Sequence, residues 1–205
     1  MIRISDWLSN NYIEVFGAIA GIIYVFLEIR QTIWLWPVGI VTSAVYIWIF
    51  FTSKFYADMT LQGYYLIISC LGWYWWAKGT GLRAQSAGQE KQELQVTRLK
   101  LRTGVVLAIV FVLLYSVMWL ILTRLTDSPV PVRDAFITSL SIIATWMLAR
   151  KIYEHWYLWI VVNFVSAVLF LTRGLYPTVL LYLVYGVMSF AGLSVWKKTI
   201  KGKAT

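Results

Sequence analysis

Apolar runs free of charge dominate the chain, and polar residues gather in a few short breaks between them. A helix needs about 17 to 25 largely apolar residues to cross the hydrocarbon of a bilayer. Runs of that kind lie at Tyr12–Ile29, Ile33–Phe51, Tyr56–Ala77, Gly104–Thr123, Ala135–Ala149, Trp156–Thr172 and Leu175–Trp196. They predict seven transmembrane helices. The fifth is short and polar-flecked for a span, and Ser-Pro-Val-Pro at 128–131 marks an irregular loop ahead of it. The one long polar stretch, Lys78 to Thr103, reads as a solvated linker, with Leu94, Val96, Leu99 and Leu101 suited to resting on a membrane surface.

Composition agrees with lipid as the second solvent. Of the 205 residues 60% are hydrophobic and 13% charged, and the mean hydropathy is +0.71. A globular core of this length has no use for so much apolar surface. The 12 Trp residues suit interfacial belts and a ring-lined cavity alike. A single cysteine, Cys70, excludes a disulfide framework, and a single histidine, His155, leaves no metal cluster; no cofactor is called for. The first apolar run begins beside Asp6 and Glu14 rather than a basic segment, so no cleavable signal peptide is expected.

The net charge of +9 is a topology signal before it is a nucleic-acid signal. With the N-terminus outside, one side collects Arg30, Lys78, Arg83, Lys91, Arg98, Lys100, Arg102, Arg150, Lys151, Lys197, Lys198, Lys201 and Lys203. The other keeps Arg3, Lys54, Arg124, Arg133 and Arg173. Basic residues accumulate on the cytoplasmic side of spans. The expectation is a periplasmic N-terminus, a cytoplasmic C-terminus and no nucleic-acid partner.

An internal repeat explains the odd number of spans. The second and sixth align at an offset of 123, Leu35-Trp36 on Leu158-Trp159 and Ser43-Ala44-Val45 on Ser166-Ala167-Val168. The third and seventh align at 120, with Tyr65 on Tyr185, Ser69 on Ser189, Gly72 on Gly192 and Trp76 on Trp196. Three spans reverse the side of the chain, and one more restores it. The expected fold is therefore all-α and integral to the membrane, with two parallel three-helix bundles (12–77 and 135–196) joined by a linker helix at 104–123. This three-plus-one-plus-three plan is SWEET-like, and substrate sites of such repeats lie near the midplane.

Three stripes could hold a ligand. Trp156, Trp159, Asn163, Ser166 and Phe170 share one helical face, as do Gln62, Tyr65, Ser69, Gly72 and Trp76, and again Tyr182, Tyr185, Ser189, Gly192 and Trp196. An amide at mid-membrane depth must find hydrogen bonds inside the bundle, so Asn163 and Gln62 are expected at a cavity. The plainer account is that polar residues join helices and that Trp36, Trp75, Trp76 and Trp196 form belts or packing. Pro37 with Gly39 suits a gate or hinge, or else a first-turn proline without further consequence. No span carries a charged residue or histidine at its centre; Glu14, Glu28 and Asp58 lie near span ends. Carriers coupled to protons or sodium use intramembrane carboxylates, and ATP-driven pumps use a P-loop. Facilitated diffusion is the default. An intramembrane enzyme lacks its nucleophile and base, and a receptor without transport is the other alternative.

Arg150-Lys151, Trp156-x-x-Trp159-x-x-x-Asn163, and Tyr56-x5-Gln62 followed by Gly72-Trp73-Tyr74-x-Trp76 resemble the Pnu family of bacterial vitamin transporters over nearly the whole chain. The resemblance implies uptake across the cytoplasmic (inner) membrane, trapping of the substrate by a cytoplasmic kinase, and a homotrimer. Substrate-binding residues would be Asn163, Gln62, Trp159, Trp156, Tyr65, Tyr182, Tyr185, Ser69, Trp36, Ser166 and Ser189. Ser69 and Leu181 stand where the nicotinamide riboside branch (PnuC) has an asparagine and an acidic residue. Glu28-x5-Trp34-Leu35-Trp36-Pro37 with Tyr56-Ala57-Asp58 looks closer to the thiamin branch (PnuT). Thiamin is thus the first substrate expectation and nicotinamide riboside the alternative; both carry a flat cationic ring that a Trp/Tyr cage suits.

Overall fold

A computed structural model of the chain describes residues 12–52, 56–78, 94–126, 130–172 and 174–201. Seven helices lie among them: α1 Tyr12–Ile29, α2 Leu35–Thr52, α3 Tyr56–Lys78, α4 Leu101–Arg124, α5 Pro131–Ala149, α6 His155–Thr172 and α7 Tyr176–Lys201. Five of these, α2 and α4 to α7, are long and apolar enough to cross a membrane, and α1 adds a shorter apolar stretch, Val15–Ile29. Strand pairing among the described residues is limited to one bridge, Thr97 with Ile152. The expected linker at 79–93, Ser128-Pro129 of the loop before α5, and the side chains of Glu14 and Asp58 lie outside the described residues.

Two compact units make up the chain, Met1–Trp73 and Tyr74–Thr205. In the second, α5 is the core. Ala135, Ser139, Ser141, Ile143, Ala144, Thr145, Met147, Leu148 and Ala149 are all buried, between α4 on one side and α6 on the other. Small residues let helices approach closely within a membrane, so hydroxyls and alanines that make α5 a poor span on paper make it a good centre. Pro131 starts it four residues earlier than expected, in the first turn where a missing N–H has no intrahelical partner to lose. By contrast, α4 has no buried residue and the highest hydropathy of the set. It touches α5, for instance through the edge-on pair Phe111 and Phe136 at 5.7 Å. Its remaining faces suit lipid.

The stretch before α4 departs from the solvated linker expected there. The Thr97 N–H donates to the Lys151 carbonyl (2.9 Å), and the Tyr153 N–H donates to the Thr97 carbonyl (3.1 Å). The Leu99 N–H donates to the Glu154 carboxylate at 2.9 Å. Leu99 also packs on the cluster of Ile143, Met147 and Ile152. Residues 94–100 thus clasp the α5–α6 turn, because that turn offers backbone groups needing partners and a hydrophobic seat beside them. Partial burial first, then the Glu154 carboxylate, pushes the Tyr153 phenol above its ordinary range.

Both units repeat one turn. Gln31 after α1 and Lys151 after α5 take left-handed backbone conformations, φ 55° and 51°. Arg30 lies 4.9 Å over Phe26, and Arg150 lies 5.9 Å over Trp146. Each pair is 120 residues apart.

Candidate substrate site

The same spacing governs the helix pairs that follow. A Cβ added at Gly72 would collide with the indole of Trp36, and one at Gly192 would collide in the same manner with the indole of Trp156. Trp36 and Trp156 are therefore equivalent, and the offset of α2 to α6 is 120, as for α3 to α7. The Leu-Trp and Ser-Ala-Val strings that match at 123 lie about one helical turn from this register, and a shift of three keeps a residue on nearly the same face. Trp36, Trp156 and Trp196 are buried and serve packing rather than interfacial belts. Trp76, buried too, donates its indole N–H to the Ala149 carbonyl at 3.2 Å.

In the second unit, the α6 stripe faces inward as its spacing predicts. Asn163 is buried, and its Nδ2 donates to Ser189 Oγ across to α7 at 3.1 Å. Ser189 in turn donates to the Tyr185 carbonyl at 2.8 Å. One turn along, Tyr182 stacks on Phe170 (5.3 Å, 21°) and meets Tyr185 edge-on (6.0 Å, 86°). A cavity of about 250 Å³ lies here, lined by Ile160, Asn163, Phe164, Tyr182, Gly186 and Phe190 among others. Ser166 is buried on the same face of α6, and the half-buried Trp159 keeps its indole nitrogen shielded and without a hydrogen bond. Asn163 and the rings of Phe164, Tyr182 and Phe190 line this apolar-walled space, which opens between exposed Phe164, Leu183, Val187 and Phe190; Trp159, Ser166, Phe170, Tyr185 and Ser189 are not part of its lining. Such a wall binds a planar ring, and the polar groups fix its orientation.

Trp156 is placed differently from Trp159. Its ring lies over Gly192 and against His155 (4.8 Å) and Trp196 (6.0 Å), at the end of the stripe away from the cavity.

In the first unit, Ser69 is buried against Gly39, where an added Cβ would come within 2.9 Å of Ser69 Oγ and 3.1 Å of the Tyr24 ring. Gly39 thus brings α1, α2 and α3 close. Pro37 falls in the first turn of α2, so its missing N–H interrupts no helical hydrogen bond. Gln62 and Tyr65 are half-buried on α3, with Tyr65 edge-on to Tyr64 at 5.6 Å. Two more residues join this group, Tyr24, which the sequence did not single out, and Glu28, which it placed near a span end and in the thiamin-like stretch but not at a site. Tyr24 lies within electrostatic reach of Glu28, Tyr65 and Tyr64, and Glu28 is only 2% exposed. A carboxylate in the last turn of a span is expected to reach water, so its spacing does not predict this burial.

Position 39 is glycine and its counterpart 159 is tryptophan, whereas position 24 is tyrosine and its counterpart 144 is alanine. Each unit has one bulky ring at this pair of positions, taken from opposite helices.

The profile of the nicotinamide mononucleotide transporter family matches residues 11–198. The chain belongs to that family. Among its members, the nicotinamide riboside transporter PnuC of Escherichia coli is 26% identical over 91% of this chain and 85% of that protein. The riboflavin/roseoflavin transporter RibM of Streptomyces davaonensis is 26% identical over 93% and 92%. A crystal structure of the vitamin B3 transporter PnuC superposes with a TM-score of 0.71 at 23% identity, covering 95% of this chain and 84% of that one, and supports the fold. As a member of this family the chain is a multi-pass inner-membrane vitamin transporter and not an enzyme.

Proposed function

We propose that this transporter carries nicotinamide riboside, by facilitated diffusion, into a cytoplasm where phosphorylation traps it. The buried Asn163–Ser189 pair beside Tyr182, Tyr185 and Phe170 carries the reading. A carboxamide edge matches the amide and hydroxyl, and a pyridinium face matches the rings. Gln62, Tyr65 and Ser69 belong to the same reading as polar and aromatic contacts of the first unit, and Trp159 and Ser166 as contacts of the second. Riboside carriers among the relatives support this substrate over thiamin, the first expectation from the sequence. Thiamin is the second reading, favoured by Ser69, whose tight seat against Gly39 takes a short side chain where the riboside branch has an asparagine. The reading includes a periplasmic N-terminus, a cytoplasmic C-terminus, two parallel three-helix repeats and a homotrimer.

Titration calorimetry of the purified protein with nicotinamide riboside, thiamin and riboflavin tests the choice, followed by uptake into proteoliposomes. Saturable binding and uptake of the riboside are expected. Binding of thiamin alone would move the substrate to the second reading, and binding without uptake would leave a receptor.

A further inference from the structure

Asn163 lies at the middle of α6, and a short chain of hydrogen bonds decides which way its amide points. Its Nδ2 donates to Ser189 Oγ at 3.1 Å, and the Ser189 hydroxyl donates to the Tyr185 carbonyl at 2.8 Å. A serine hydroxyl has one hydrogen to give. With that hydrogen committed to the backbone of α7, Ser189 meets Asn163 only as an acceptor. The nitrogen edge of the amide must therefore turn toward Ser189.

The oxygen is what remains for a ligand. Asn163 Oδ1 accepts no hydrogen bond from the described residues, while Asn163 is 6% exposed and lines the cavity beside Tyr182. An unanswered acceptor at this depth is costly, since lipid and apolar walls offer it no donor. Nor does the packing of two helices demand an amide there. At the spacing of 120 the first unit has Ser43 for Asn163 and Ser69 for Ser189, both buried. There α2 and α3 approach closely, Trp36 against Gly72 and Gly39 against Ser69, with two short hydroxyl residues in those places.

We propose that Ser189 is a positioning residue: it holds the Asn163 oxygen toward the substrate and so selects planar rings bearing an N–H donor over rings that offer only acceptors. This rests on the substrate class proposed above and gives it a specificity rule. In nicotinamide riboside the donor is the carboxamide nitrogen, and the Tyr182 ring covers the pyridinium beside it.

The test compares nicotinamide riboside with 3-acetylpyridine riboside, in which a methyl group replaces the carboxamide nitrogen. Ring, charge and carbonyl are kept, and the size barely changes. Calorimetry on the wild-type protein is expected to favour the carboxamide by about tenfold, the effect of leaving one buried acceptor unmatched. Ser189→Ala frees the amide to turn over and is expected to bring the ratio within about twofold of one. A purely structural Ser189 would weaken both ligands together and preserve the ratio, which overturns the proposal, as does a wild type that does not distinguish them. Should Ser189→Ala not purify as a single species, Ser189→Cys carries the same test, because sulfur is a weak acceptor. Its ratio should fall by at least about half, and an undiminished ratio overturns the proposal. Thiamin and oxythiamin, which has a carbonyl in place of the amino group, form a second pair. A wild type that binds thiamin and not the riboside sinks the proposed substrate. Loss of the thiamin preference in Ser189→Ala would then uphold the role of Ser189, and a retained preference would overturn it. A wild type that binds none of the four overturns both.

Discussion

The indole of Trp156 fills the space that a side chain on Gly192 would need, and His155 and Trp196 brace that indole from behind. A rigid ring held on several sides cannot yield by rotating away. Gly192→Ala should overpack the site and cost about 1 to 3 kcal/mol, as extra methyl groups do in tight cores. Gly63, with nothing within 4 Å of an added Cβ, should accept alanine with little change. Thermal unfolding of the two variants in detergent makes the comparison. Equal melting temperatures would mean that the α6–α7 contact is looser than the geometry indicates.

Asn163→Ala removes a buried donor and leaves Ser189 without it. Affinity for the substrate should fall by about 1 to 3 kcal/mol, or roughly 5- to 150-fold. Trp159→Ala should cost at least as much, through lost ring contact. Calorimetry on monodisperse protein reads both. Wild-type affinity in both variants would move the site away from this face of α6.

The clasp on the α5–α6 turn predicts a local effect. Glu154→Gln replaces a charge-assisted hydrogen bond to the Leu99 N–H with a neutral one, and Glu154→Ala deletes it. Bonds to charged groups contribute about 1.5 to 3 kcal/mol. Amide exchange across residues 94–100 should accelerate in the order wild type, Gln, Ala, with α7 unaffected. Uniform acceleration throughout the chain would mean that the clasp supports the whole second unit.

Transport should equilibrate the substrate without an imposed gradient, because no span has a charged residue or histidine at its centre. Proteoliposomes that concentrate the vitamin only under a proton or sodium gradient would contradict this.

Orientation follows from the basic residues. A reporter active only in the periplasm, fused after Lys203, should be silent. Activity there would invert the assignment.

Most of this architecture was legible because a membrane span is a long, simple signal. Helix boundaries fall within a few residues of the apolar runs, and in the stripe through Asn163 the residues Trp156, Asn163 and Ser166 are buried while Trp159 and Phe170 are half-buried. What escaped were features in which a residue acts against its type. Leu99 sits in a polar stretch yet packs into a core, since the clasp is a long-range contact that no local pattern encodes. The three-residue slip between Trp36 and its true counterpart shows how weakly helical periodicity fixes register. Glu28 was legible only as a span-end residue and part of the thiamin-like stretch, and its burial was not.

The exchange of bulk between positions 24 and 39 on one side and 144 and 159 on the other has a consequence for the chain's ancestry. If two identical copies once stood in tandem, the pair could not have diverged one residue at a time without an interval of either two rings in conflict or none. Tyr24 and Gly39 should therefore behave as a linked unit, as should Ala144 and Trp159. Transplanting a single member, Gly39→Trp or Trp159→Gly, should damage folding more than moving both members together. The duplicated halves are thus no longer interchangeable parts, and a chimera built from two copies of either one would inherit a single kind of ring where the present protein has two.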